Sequence, residues 1–248
     1  MIYLLLIMEL LKSLYEINSK SGYEAEIKNF VLGQLADVAL SVEEDAFGNV
    51  FVTKGIADSY PCVTAHFDEV HAPVEKSLVV DGDMIYAVDV EGERTGIGAD
   101  DKNGLWIIIR LLHDKPLLKV ALFVQEERDG EMAGCRGSRA CSLGFFNDVR
   151  YILAVDRNGD SEVVTVGKGD IRLCNDDMFP LDVLQKYGYE CVPGGRTDVV
   201  ALKERGLPAP CCNISCGYYN AHKPDEYSKF SHLEKALAFV GELLEKIV

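Results

Sequence analysis

Apolar runs in this chain give way, one after another, to side chains that bind metal ions. PCVTA runs into His66 and Asp68, VALFVQ into Glu126 and Glu127, and YILAV into Asp156. APCCNIS leads through a Gly-Tyr-Tyr-Asn turn to His222. Between the first two lies GIGADDKNG, which sets Asp100 immediately before a long apolar helix. In open α/β sheets, ligands gather outside the carboxyl ends of the strands. Here the metal-type side chains fall at those ends.

A divalent ion such as zinc takes imidazole and carboxylate ligands, and a position left open to water makes a site catalytic. Two histidines and three acids serve two ions when one carboxylate bridges them. Ions paired in this way lie about 3.5–4 Å apart and lower the pKa of a shared water toward about 7. A general base must still move that water's proton to the leaving group. Neighbouring glutamates divide the labour, one coordinating and the other standing free beside the water. Any single acid at a strand end reads as a solvated loop residue. The ordered set, each member after a strand or at a helix start, reads as a site.

The rest of the chain alternates helices and strands. MELLKSLYEI and YEAEIKNFVLGQL have helical spacing, with Ser21 a candidate cap for the second. GNVFVTKG and PCVTAHF read as strands, and KSLVVDGDMIYAV as a hairpin around Asp81-Gly82-Asp83. Lys102–His113 is a helix apolar around most of its circumference, hence central and buried. Strands over Leu118–Gln125 and Tyr151–Val155 flank a helix near Gly137–Leu143. Further helices follow over Phe179–Tyr187, Asp198–Arg205 and His232–Ile247. This alternation predicts an α/β fold, doubly wound, with a mostly parallel (mixed) sheet flanked by helices. No repeat or linker divides the 248 residues, and the expectation is a single domain over residues 1–248.

Charge narrows the partners. A net charge of −15 and a pI near 4.7 argue against nucleic acid and against an anionic membrane surface. The eight cysteines form no CxxC pair, which fits a reducing, cytoplasmic setting. Cys212 and Cys216 are conceivable soft ligands, but a two-ion site is complete without them. The opening MIYLLLIM is too short to span a bilayer and lacks a basic flank. The helical pattern proper begins at Met8, so either Met8 is the natural start or the leader packs on the surface.

HFDEV, GIGADDKNG, the glutamate pair, AVDRNG, GGRTD and GYYNAHKPDEY stand in the order found in di-zinc exopeptidases. From His66 to Tyr227 the chain resembles that superfamily, which includes peptidase T, aminoacylase, carnosinase-like enzymes and single-domain aminopeptidases. The resemblance implies a zinc-exopeptidase-like (phosphorylase/hydrolase-like) fold. By it, His66, Asp100 and Asp156 hold one metal, Asp100, Glu127 and His222 the other, and Glu126 is the general base. Asp68 then fixes the tautomer of His66, and a cis peptide follows Asp100. The implied cofactors are two divalent ions, zinc by default, with manganese or cobalt suited to the same oxygen-rich cage. Val70–Gly98 and Arg157–Pro193 leave no room for the lid or dimerisation domain that many relatives carry.

The implied activity is aminopeptidase or di/tripeptidase cleavage of a small peptide. Alternatives are an N-acyl amino acid deacylase with the same machinery, a single-zinc enzyme cyclising N-terminal glutamine, and a non-catalytic binding module. A homo-oligomer is compatible with all of these. Arg196 could meet a substrate carboxylate but reads first as a surface arginine at a helix start. Thr197 and Asp198 read as caps of the following helix. His71 reads as a solvated loop histidine, His113 and His232 as structural at helix ends, and Lys102 as electrostatic support for its helix.

Overall fold

Alternate residues of the apolar runs are buried on opposite faces of one sheet, and that decides the architecture. The structure, a computed structural model, describes residues 2–127 and 134–247, with side chains from Met8 onward. The first half comprises α1 (Ile2–Glu16), α2 (Ala25–Leu35), β1 (Ser41–Glu44), β2 (Val50–Lys54), β3 (Tyr60–His66), β4 (Lys76–Asp81), β5 (Met84–Asp89), β6 (Arg94–Thr95), α3 (Ala99–Asp114) and β7 (Leu118–Phe123). The second comprises α4 (Arg136–Ala140), β8 (Val149–Arg157), β9 (Glu162–Gly167), β10 (Ile171–Arg172), α5 (Leu181–Tyr187), β11 (Glu190–Pro193), α6 (Asp198–Glu204), β12 (Cys211–Ser215), β13 (Tyr218–Tyr219), β14 (Tyr227–Lys229) and α7 (Phe230–Lys246).

Among the described residues, nine strands form a mixed sheet in the order β1-β2-β7-β3-β8-β12-β9-β10, with β11 beside β9. The centre, β7-β3-β8-β12, is parallel throughout. Val63, Ala65, Val120, Leu122, Leu153 and Val155 face one core, shared with α1, α2, α3, α5 and α7. Cys62, Ala121, Phe123, Ile152 and Ala154 face the other, closed in part by Val199, Val200 and Leu202 of α6. Burial on both faces explains why these strands read as unbroken apolar runs. Helices on both faces make the fold α/β, as the sequence predicts.

Several local expectations change. Helix α1 starts at Ile2, upstream of Met8, while Met1 lies outside the described residues. Ser21 caps nothing: Glu24 stands at the N-cap of α2 and makes no side-chain cap bond. The hairpin is real but belongs to a second, antiparallel sheet of β13, β14, β5 and β4, with β6 paired to β5. Strands β9 and β11 occupy the stretch after Asp156 that sequence periodicity left without strands. Their partners are distant or edge neighbours, so short runs such as EVVTVG carry little local signal. Among the described residues all eight cysteines are free, and no helix is long and apolar enough to cross a membrane.

Lys102 does more than support a helix entrance. Its ammonium is buried 3.2 Å from Glu69, itself buried, and donates to the Ile17 carbonyl at 2.6 Å. This joins the end of α1 to the start of α3. Burial alone would raise the Glu69 carboxyl, but Lys102 and Lys76 hold it below its ordinary value. Removing one partner of a buried pair strands the other charge. Lys102→Met is therefore expected to cost about 3 kcal/mol of stability, read as a lower urea midpoint.

Candidate metal centre

Because β3, β7, β8 and β12 run parallel, their carboxyl ends open on one edge of the sheet. His66 closes β3 in register with Phe123, so the turn after β7 delivers Glu126 and Glu127 beside it. Asp156 lies near the end of β8. Asp100 enters from the start of α3, where Asp100 and Asp101 interrupt the helix and their peptide is cis. His222 sits in the loop joining β13 to β14, in left-handed backbone at φ 66°. Gln125, just before the glutamates, is also left-handed at φ 55° and donates its amide to Glu24 Oε1 at 3.1 Å. Such backbone in non-glycine residues costs energy and concentrates at functional sites.

The structure brings His66, Asp100, Glu127, Asp156 and His222 within a few ångströms of one another. His66 Nε2 is 3.3 Å from Asp100 Oδ1 and 3.5 Å from Asp156 Oδ1. The other Asp100 oxygen is 3.3 Å from His222 Nε2, which is 2.8 Å from Glu127 Oε1. Asp100 thus faces one histidine with each oxygen. His66, Asp100 and Glu127 each offer a ligand atom, all within 4.8 Å of one another.

Asp68 is buried and joins these pieces. Its Oδ1 accepts the Glu126 amide and its Oδ2 the Glu127 amide, both at 2.9 Å. Its carboxylate lies 3.4 Å from His66 Nδ1, and its carbonyl 3.0 Å from the same nitrogen. One side chain therefore orients a histidine and both glutamates. Other such residues escaped the sequence reading. Asn213 on β12 brackets the Asp156 backbone, accepting its amide at 3.0 Å and donating to its carbonyl at 2.6 Å. Thr197 does not cap α6 with its side chain but donates to Asp156 Oδ2 at 3.0 Å. Asp101 accepts the His66 amide at 3.2 Å. Glu226 accepts the Asp100 amide at 3.1 Å and meets His71, which is a half-buried partner and no freely solvated loop residue. The PDEY motif contained Glu226, but nothing local separates it from its exposed neighbour Asp225.

Glu126 groups with Cys135 and Asp198. Cys135 Sγ donates to its Oε1 at 3.1 Å, and buried Asp198 lies nearby, accepting from Ser138 Oγ at 2.5 Å. Burial pushes Glu126 well above the usual carboxylate range, with the charges of Asp156 and Asp198 adding to it against the opposing effect of His66. Asp198 is pushed up to about 7 by burial.

The cluster holds more carboxylates than its histidines can neutralise. Burial raises Glu127 to about 7 against the hydrogen bond from His222, and burial together with Asp100 raises Asp156. Asp100 goes the other way: despite burial, the imidazoles of His222 and His66 beside it hold it low. Hydrogen bonds to Asp100 and Glu127 lift His222 to about 11. Burial would lower His66, yet the carboxylates of Asp100 and Asp156 beside it raise it well above its ordinary value. Charge of this kind, packed at the mouth of a sheet, suits divalent cations.

A cavity of about 180 Å³ adjoins the cluster. Asp100, Glu126, Glu127, Asp156 and His222 line one part of it, with Arg157 and Arg196 among its other walls. Both arginines are paired, Arg157 with Glu162 at 2.7 Å and Arg196 with Glu204 at 2.9 Å. No protein-family model and no curated protein sequence matches the chain. Solved structures do. The aminopeptidase PepT of Bacillus cereus ATCC 10987 superposes with a TM-score of 0.77 at 17% identity, over 97% of this chain and 98% of that one. A tripeptidase from Staphylococcus aureus subsp. aureus Mu50 gives 0.77 at 15%, over 97% of each chain. The Pyrococcus horikoshii TET1 peptidase, which can assemble into a tetrahedron or a large octahedral shell, gives 0.69 at 19%, over 96% of this chain and 99% of that one. The chain has the α/β fold of these peptidases.

Proposed function

We propose that the chain is a metal-dependent exopeptidase, an aminopeptidase or di/tripeptidase, acting as one catalytic unit without a lid domain. The observation that carries this reading is the division of Asp100, one oxygen toward His66 and the other toward His222. A bridging carboxylate needs that arrangement. The donor atoms fit: His66 Nε2 and Asp100 Oδ1 are both buried without a hydrogen-bond partner. His66, Asp100 and Asp156 would hold one divalent ion, and Asp100, Glu127 and His222 the other, with zinc suited to this mix of imidazole and carboxylate and manganese or cobalt able to replace it. When bound, the ions polarise the amide carbonyl and acidify a water.

The chain's own residues supply the rest. The cavity beside the cluster receives the peptide. Glu126 accepts the attacking water's proton at its carboxylate and passes it to the departing amine nitrogen. Asp68, through its two amide bonds, keeps Glu126 and Glu127 at fixed offsets from His66. Thr197 and Asn213 keep Asp156 aimed at the same point. The likeness to an aminopeptidase and a tripeptidase favours peptide substrates, and that to the TET1 peptidase favours a homo-oligomer, which light scattering on the full chain tests.

A panel of aminoacyl-anilides, di- and tripeptides and N-acetyl amino acids, assayed with zinc or manganese, tests the activity. Hydrolysis of the first two groups, lost to a chelator and restored by metal, is the expected result. Cleavage of N-acetyl amino acids alone would move the assignment to a deacylase. One ion per chain by elemental analysis would favour a glutamine-cyclising enzyme.

Protons give a second check. With His222 raised to about 11 and His66 also raised, the imidazoles of chelator-treated protein hold protons more tightly than a free histidine does. Coordination requires them neutral, so zinc uptake at pH 7 should release protons and tighten as pH rises. Calorimetry in two buffers of different ionisation enthalpy measures the release. Uptake without it would remove the histidines from the ligand set.

A further inference from the structure

We propose that Glu226 is a positioning residue that locks the Asp100 loop to the His222 loop, and so sets the donor spacing at the cation position these two residues share. The inference rests on the metal reading above. Glu226 follows His222 at the end of the β13–β14 loop and is fully buried. Its Oε2 accepts the Gly98 amide at 2.7 Å and lies 3.0 Å from His71 Nε2, while its Oε1 accepts the Asp100 amide at 3.1 Å. A buried carboxylate is tolerated only when its lone pairs are satisfied. This one directs them to two amides just before the cis Asp100–Asp101 peptide and to His71, and it takes no part in lining the cavity.

Both ends of the link are stiff. Gly98 has φ +66°, and a Cβ there would lie 2.0 Å from Glu69 Oε2, so the backbone before Asp100 packs directly against that buried side chain. Arg94 donates to the carbonyls of Asp225 at 3.1 Å and Glu226 at 3.3 Å, fixing the far end of the His222 loop. Constellations of this kind tolerate displacements of only about 0.5 Å. The position formed by Asp100, Glu127 and His222 draws two of its three donors from the linked loops. The one formed by His66, Asp100 and Asp156 shares only Asp100. Loss of the Glu226 carboxylate therefore acts unequally on the two.

The test is zinc titration of the chelator-treated full chain by calorimetry, for wild type, Glu226→Gln and Glu226→Asp, with thermal unfolding alongside. Glutamine keeps the volume but puts an amide donor against a backbone N–H. Glu226→Gln is expected to weaken one of the two zinc sites by 10–100-fold, in line with the loss of other groups that orient ligands, and to leave the second near wild type. Glu226→Asp is expected to recover part of the loss. If Glu226→Gln does not fold, the aspartate variant and His71→Asn, which frees one oxygen only, carry the same comparison with smaller shifts. Two wild-type zinc affinities in the variants would overturn the inference, even with a lowered Tm. Equal weakening of both sites would also overturn it. A wild-type chain that takes up no zinc would instead overturn the metal reading, and this inference with it.

Discussion

Replacing Glu126 with glutamine is expected to lower kcat by about 10²–10⁴-fold while the protein keeps wild-type zinc content. The substitution preserves shape and removes only the basic oxygen. Glu126 lines the cavity, and its side chain accepts from Cys135 Sγ. Its backbone stays pinned by Asp68 whatever the side chain. Stopped-flow or endpoint peptide hydrolysis, with zinc measured on the same sample, reads both quantities. Residual activity within a few-fold of wild type would take the base role away from Glu126. Loss of zinc along with activity would make it a ligand instead.

Asp100→Ala should have the broadest effect of any single change at the site. Its oxygens lie 3.3 Å from His66 and 3.3 Å from His222, so its removal takes a donor from both proposed positions. Bound zinc is expected to fall from two per chain toward none, and hydrolysis to background. His222→Ala makes the contrast, since among the described residues its ring meets Asp100 and Glu127, on one proposed position, and it should lose one ion. Elemental analysis after gel filtration separates these results. An Asp100→Ala protein that retains one ion at full occupancy would show that the carboxylate does not bridge.

Much of this was legible in the chain itself. The runs ending at His66, Glu126–Glu127 and Asp156 mark strand ends because burial on both faces of a parallel sheet demands unbroken apolar sequence, and polarity returns only where the strand leaves the core. Helix α3 was equally plain, since its residues from Ala99 to Ile109 are buried throughout. The partners that aim the site were not. Thr197 and Asp198 look like caps from their place before a helix, yet Thr197 turns to Asp156 and Asp198 to Ser138. Ser21 and His71 were misread for the same reason, because local sequence reports helix starts and loops but not what lies across the fold.

The sequence by itself determined the alternation of strands and helices, the edge of the sheet where acids and imidazoles collect, and their order along the chain. Those features depend on periodicity and residue chemistry, which are local. Only the tertiary structure decided that β9 and β11 extend the sheet, that a second sheet carries the His222 loop, and that Glu226 ties that loop to Asp100. Such pairings join residues far apart in sequence, and their energy comes from burial and hydrogen-bond satisfaction that exist only once the chain has closed on itself.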